Sequence, residues 1–147
     1  MNKPIRILIA DDHHVVRSGL RMLLDRTEGF IVVAEAANGE EAVRLTRDMK
    51  PDVAILDISM PVMNGVDAAR IIKRDQPLVR ILMLTIHESE DYVRLAISAG
   101  ADGYVLKNTD REELRTAVQT VYEGGRFFSP TIAAMLCGNG PATDKAP

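Results

Sequence analysis

The sequence predicts an α/β domain built as a doubly wound, parallel, five-stranded sheet with a helix after each strand. Short apolar runs alternate with stretches whose apolar residues recur at helical spacing. The runs are continuous rather than alternating, as in strands covered on both faces. Four of them also end in a polar residue: Asp11-Asp12 after IRILIA, Asp57 after VAIL, Thr85 after ILML and Lys107 after GYVL. A parallel sheet brings the carboxyl ends of its strands to one edge, so these side chains are expected to share one pocket.

The first strand is expected over residues 5–10, followed by a helix carrying Val16, Leu20, Leu23, Leu24 and Thr27 inward. The second, 31–36, leads to Asn38, which can cap a helix while Glu41 reaches back as in a capping box. That helix turns Ala42, Leu45 and Met49 to one face, and Pro51 stops it. The third strand, 53–57, runs into the loop Ile58-Ser59-Met60-Pro61-Val62-Met63-Asn64-Gly65 and a helix to about Arg74.

The fourth strand covers 80–85. Ser89 can cap the short helix after it, with Val93, Ala96 and Ile97 inward and Gly100 as a stop. The fifth strand, 103–107, precedes a capping box at Thr109-Asp110-Arg111-Glu112. The helix there shows a stripe of Leu114, Ala117, Val118, Val121 and Tyr122 and ends at Gly124-Gly125. Ser129-Pro130 reads as the cap and first turn of a further helix over 131–136. Three stretches result: a domain over 1–124, a short helical segment over 125–137, and a tail of linker composition over 138–147.

Strand 2 ends in Ala36-Ala37-Asn38 and offers nothing to the pocket, which places it at an edge. An order of 2-1-3-4-5 puts the reversal point between strands 1 and 3, beside Asp11, Asp12 and Asp57.

The 147 residues suffice for one domain with a real core; 46% are apolar, 27% charged and only 4% aromatic, so that core is aliphatic. A net charge of −3 gives no electrostatic ground for nucleic acid on this domain. The single Cys137 forms no internal disulfide, which fits a reducing cytosol. With no membrane-spanning run or secretion signal in the sequence, a soluble cytoplasmic domain is expected.

Each pocket residue has a plain reading alone: Asp11 or Asp12 as a helix cap, Thr85 as a strand residue, Lys107 as a solvated strand end. Together they carry chemistry. Two like charges about 4 Å apart cost about 4 kcal/mol at an effective dielectric of about 20. Lys107 offsets one charge, and a bound Mg2+ (or Mn2+) would offset two more. Asp57 is then placed to attack a phosphoryl group in line and form an acyl phosphate.

These residues, with the run Leu56 to Gly65 and Ala101-Asp102-Gly103-Tyr104-Val105-Leu106-Lys107, resemble the receiver domain of bacterial two-component response regulators over roughly residues 5–123. The resemblance implies a flavodoxin-like (βα)5 fold, and it supplies part of the case for the 2-1-3-4-5 order, which chemotaxis members of that superfamily exemplify. It implies Asp57 as phosphoacceptor from a sensor histidine kinase, with Mg2+ held by Asp12, Asp57 and the Ser59 carbonyl, and by Asp11 mostly through water. Lys107 would pair with the phosphoryl group, Thr85 would swing toward it, and Tyr104 would turn inward behind it. The face of helix 4, strand 5 and helix 5 would rearrange, and a homodimer would form on phosphorylation. Ser59 and His87, each two residues past a site residue, would tune hydrolysis of the acyl phosphate. His13-His14 reads as surface at a helix start.

Asn108, rather than Pro, follows Lys107. With the run Tyr122 to Pro130, this resembles the NarL/FixJ subfamily, whose receivers are joined by a linker to a LuxR-type helix-turn-helix. The implied role is a signalling phosphoacceptor controlling transcription through a DNA-binding domain outside this chain. The alternative is a stand-alone receiver acting as a relay or protein switch. A haloacid-dehalogenase-like phosphatase would need Asp-x-Asp after strand 1, where this chain has Asp11-Asp12-His13. A nucleotide-binding flavodoxin relative would need a small-residue phosphate loop there.

Overall fold

The structure, a computed structural model, describes residues 3–138. Its elements run β1 (Ile5–Ala10), α1 (His14–Asp25), β2 (Phe30–Ala36), α2 (Gly39–Met49), β3 (Val53–Leu56) and α3 (Gly65–Asp75). They continue as β4 (Arg80–Thr85), α4 (Glu90–Ser98), β5 (Gly103–Leu106), α5 (Arg111–Tyr122), β6 (Phe127–Phe128) and α6 (Pro130–Gly138). All strand pairings are parallel, in the order β2-β1-β3-β4-β5-β6. The expected 2-1-3-4-5 order is present, with a sixth strand added beyond β5.

That strand comes from a segment too short for periodicity to mark. Gly124, at φ +96°, turns the chain after α5. Phe127 N–H then donates to the Asp102 carbonyl at 3.2 Å, and Ser129 N–H to the Tyr104 carbonyl at 3.0 Å. β5 would otherwise present an open hydrogen-bonding edge. Ser129 stands at the N-cap position of α6, its carbonyl accepting from Ala133 N–H at 2.8 Å, while its hydroxyl accepts from Leu106 N–H at 3.1 Å and ties the segment to β5. The tail expected over 138–147 lies, past Gly138, outside the described residues.

Alternating side chains of the strands divide the core between the two faces. Leu8, Leu56, Ile81, Met83 and Tyr104 pack with Ala42, Ala69, Ile72, Val93 and Ile132 from α2, α3, α4 and α6. Ile7, Ile9, Ile55, Leu82 and Val105 meet Leu24, Leu114, Val118 and Val121 of α1 and α5. Full burial of each Leu or Ile side chain contributes about 1.5–3 kcal/mol. Val16 and Tyr122, expected inward, are exposed at the flanks of their helices.

Most caps follow the sequence signals. Asn38 accepts from Glu41 N–H at 2.8 Å, although Glu41 reaches back to Ala37 N–H, one residue before the cap. Ser89 caps α4 by accepting from Tyr92 N–H. In α5 the cap is Asp110, accepting from Glu113 N–H at 2.8 Å, one residue later than the expected Thr109. Helix α1 has His13 as its N-cap residue with no side-chain cap bond, and Asp11 Oδ1 accepts from the N–H of His13 itself at 2.8 Å, ahead of the helix.

Gly65 fixes the loop after β3. A Cβ there would lie 2.0 Å from the Asp57 carbonyl oxygen, while Gly65 N–H donates to the Ile58 carbonyl at 2.8 Å. Gly19, within α1, has nothing within 4 Å of an added Cβ. Opposite outcomes are expected for the same substitution. Gly65→Ala should lower unfolding free energy by about 1–3 kcal/mol, and Gly19→Ala should raise it by about 0.5–1 kcal/mol. Urea titration of the two variants beside wild type checks this; equal shifts would refute the packing described for Gly65.

Candidate functional site

Sheet register assembles the site. Ala10 and Leu56 are partners in neighbouring strands, so Asp11 and Asp57 emerge side by side. Asp57 N–H donates to the Ala10 carbonyl at 3.0 Å, and Asp11 N–H to the Ala36 carbonyl at 3.0 Å. Thr85 partners Leu106, and Lys107 N–H donates to the Thr85 carbonyl at 2.8 Å. The four polar strand ends therefore meet at one edge, as the sequence predicts.

At their centre lies Lys107. Its Nζ is 2.7 Å from Asp11 Oδ2 and 3.1 Å from Asp57 Oδ2, and both carboxylates are buried. Burial works to lower the Lys107 pKa, but hydrogen bonds from the ammonium to Asp11 and Asp57 outweigh it. The pKa stands above the ordinary lysine value. Asp12 is more open, with its Oδ1 3.1 Å from His13 Nδ1.

Oxygens of Asp11, Asp12 and Asp57 and a ring nitrogen of His13 all lie within 4.8 Å of one another. This acidic pocket has the hard oxygen donors that Mg2+ or Mn2+ favours. His13, which the sequence places at the surface, is indeed mostly exposed yet stands beside the carboxylates.

Beside Asp57 opens a cavity of ≈ 290 Å³, whose lining includes His13, Val16, Ser59, Ile86, His87 and Lys107. Ser59 Oγ and His87 Nε2 are 2.6 Å apart, and the His87 ring stacks on Tyr92 at 4.3 Å between centroids. The two residues expected to influence hydrolysis thus touch each other across the cavity. Thr85 is fully buried, and its hydroxyl accepts from His87 N–H at 3.2 Å.

Tyr104 is inward in this structure, at 0% exposure, with its hydroxyl donating to the His87 carbonyl at 2.8 Å. Burial first, and the nearby Tyr92 and Asp57 after it, push its phenol well above the ordinary tyrosine range. No cis peptide occurs among the described residues, so the Lys107–Asn108 bond is trans.

Two residues near the site escape the sequence reading. Arg17 donates to the Asp11 carbonyl at 2.6 Å and pairs with Glu35 of β2 at 3.0 Å. Strand β2 gives the acidic cluster no side chain, and touches the Asp11 turn through the Ala36 carbonyl and, by way of Arg17, through Glu35. A charged residue inside the otherwise apolar run of residues 30–36 was the available signal.

Comparison with known proteins agrees with this geometry. The sequence profile described as the response regulator receiver domain matches residues 7–119. The chain is 38% identical over 132 residues to the response regulator GacA of Pseudomonas aeruginosa, covering 90% of this chain and 62% of that protein. It is 41% identical over 132 residues to the transcriptional regulatory protein DegU of Brevibacillus brevis, covering 90% of this chain and 56% of that one. The chain thus spans less than two thirds of either relative.

Among solved structures, it is similar to a LuxR-family two-component response regulator from Aurantimonas sp. SI85-9A1. The TM-score is 0.85 at 41% identity, covering 89% of this chain and 94% of that one. It also matches the isolated REC domain of RcsB from Salmonella enterica serovar Typhimurium, solved with phosphomimetic BeF3-. There the TM-score is 0.81 at 26% identity, over 90% and 99% of the two chains. With a lysine bridging two buried aspartates at the carboxyl edge of the sheet, and the family profile matching most of its length, the chain belongs to the response regulator receiver domains.

Proposed function

We propose that Asp57 accepts a phosphoryl group from a phosphohistidine of a sensor histidine kinase, and that the acyl phosphate switches the face of α4, β5 and α5. The carrying observation is the Lys107 ammonium within 3.1 Å of Asp57 and 2.7 Å of Asp11. It stands with a nucleophile and further carboxylates at one edge of the sheet. A Mg2+ (or Mn2+) held by Asp12, Asp57 and the Ser59 carbonyl, and by Asp11 through water, would neutralise the incoming phosphoryl oxygens.

The chain's own groups do the rest. An Asp57 oxygen forms the new bond to phosphorus while the phosphorus–nitrogen bond breaks, its electron pair leaving with the imidazole. Lys107 shifts from the Asp57 oxygen to a phosphoryl oxygen, and the Thr85 hydroxyl takes another. Because Thr85 Oγ1 holds His87 N–H, moving it releases one restraint on the loop after β4. Tyr104 holds the same loop at the His87 carbonyl, so the inward ring is the stop against which the loop resettles.

On this reading residues 1–124 are the phosphoacceptor unit, 125–137 begins the connection to an output domain, and 138–147 is linker. In a full-length protein of this family, that output domain would bind DNA and control transcription, with phosphorylation favouring a homodimer. Named as a transcriptional regulatory protein, DegU supports this over a stand-alone switch. The protein would act in the cytoplasm; no described helix is long and apolar enough to cross a membrane.

Incubation with acetyl phosphate and Mg2+ should add one phosphoryl group to wild type by intact mass. Nothing should be added after chelation or in Asp57→Asn; label on that variant would overturn the assignment. His87→Ala should change the acyl-phosphate half-life by about threefold or more, about 0.7 kcal/mol in barrier, with divalent-metal affinity unchanged. An unaltered half-life would remove His87 from the hydrolysis step.

A further inference from the structure

Helix α1 has no side-chain cap at its N-cap residue His13, and the turn before it is tied locally only where Asp11 Oδ1 accepts from His13 N–H at 2.8 Å. Further ties come from β2. Asp11 N–H donates to the Ala36 carbonyl, and the Asp11 carbonyl accepts from Arg17 Nη1 at 2.6 Å. Arg17 uses a second edge of its guanidinium, Nε, to donate to Glu35 Oε1 at 3.0 Å. The other Glu35 oxygen is taken by Arg21.

Both Arg17 and Glu35 are largely buried side chains, at 16% and 25% exposure. Burial raises the Glu35 pKa, but hydrogen bonds from Arg21 and Arg17 outweigh it and keep the carboxyl below the ordinary glutamate range. The carboxylate is therefore charged at neutral pH. A planar guanidinium can hold two partners in fixed, divergent directions, whereas an ammonium holds them loosely.

We infer that Arg17 and Glu35 are positioning residues for the metal-binding aspartates, setting the Asp11–Asp12 turn through its backbone carbonyl. The inference rests on the phosphoacceptor reading above and deepens it. Neither residue touches the metal or the phosphoryl group. Their contribution is to present the two carboxylates at oxygen spacing before the cation arrives. Outer partners of this kind are worth about 10–100-fold in metal affinity.

The test measures Mn2+ binding by electron paramagnetic resonance, with Mg2+ as competitor, in Arg17→Lys, Arg17→Ala, Glu35→Gln and the Arg17→Ala/Glu35→Gln pair. Arg17→Ala is expected to weaken both metals about tenfold, and Glu35→Gln to weaken them in the same direction by less. The pair should bind no more weakly than Arg17→Ala alone, because the two residues act in one chain. At saturating Mg2+, acetyl phosphate should label every variant to the wild-type extent.

Arg17→Lys keeps the charge and loses the two-way geometry, so it should remain weak. Wild-type affinity in that variant would show that charge alone acts, and would overturn the relay. Unchanged affinity in Glu35→Gln would do the same, and it decides the matter if Arg17→Ala fails to fold. If wild type takes no phosphoryl group while the variants still bind metal weakly, the proposed function falls and the positioning role stands.

Discussion

One ammonium between two buried carboxylates governs this molecule. Among the described residues, Lys107 is the lysine or arginine whose cation pairs with the side-chain carboxylates of both Asp11 and Asp57, and Asp12 stands in the same cluster. The account is short by two positive charges. Removing Lys107 would leave buried carboxylates unpaired, an arrangement that costs about 3–5 kcal/mol in comparable sites. Because the folded-state pKa of Lys107 lies above its unfolded value, the ion pair's stabilisation is complete below the ordinary lysine range. It is lost only as pH rises through the folded pKa. At neutral pH the pocket is thus locked and still negative, a condition that a divalent cation relieves and an anionic phosphoryl donor alone does not.

The rest of the fold builds that edge and connects it to the surface. Parallel register delivers the strand ends, and Gly65 lets the following loop close directly over the Asp57 carbonyl. From the site, contacts lead through Thr85 and His87 to Tyr104 and Tyr92, on β5 and α4. β5 also holds Ser129, whose hydroxyl and amide bind the strand at Leu106 and Tyr104. The segment leading away from the domain is therefore stitched to the strand that carries Lys107. A local change of charge has a packed, hydrogen-bonded route to the surface.

Much of this was legible in the sequence because it depends on patterns that sequence records. Apolar runs ending in Asp, Asp, Thr and Lys encode strand ends, and parallel topology converts them to neighbours. The edge position of strand 2 followed from its lack of a polar terminus. What escaped depends on side-chain reach. The direction of the Arg17 guanidinium, one turn into α1, is set by packing rather than spacing, and so is the pairing with Glu35. Two residues, Phe127 and Phe128, are too few to show period, although they cap the sheet. Ser-Pro marks the start of α6, but the bond from Leu106 N–H to the Ser129 hydroxyl depends on a β5 edge that local sequence does not show. The inward rotamer of Tyr104 belongs to conformation, which sequence does not record.

The charge imbalance at the sheet edge is most directly tested by melting wild type and Asp57→Asn with and without Mg2+. Saturating Mg2+, at about 100 times its dissociation constant, should raise the wild-type Tm by about 5–10 °C. Asp57→Asn should melt higher than wild type without metal and gain much less from adding it. Equal Mg2+ shifts in both proteins, with no gain from the substitution alone, would contradict a site built around excess negative charge on Asp57.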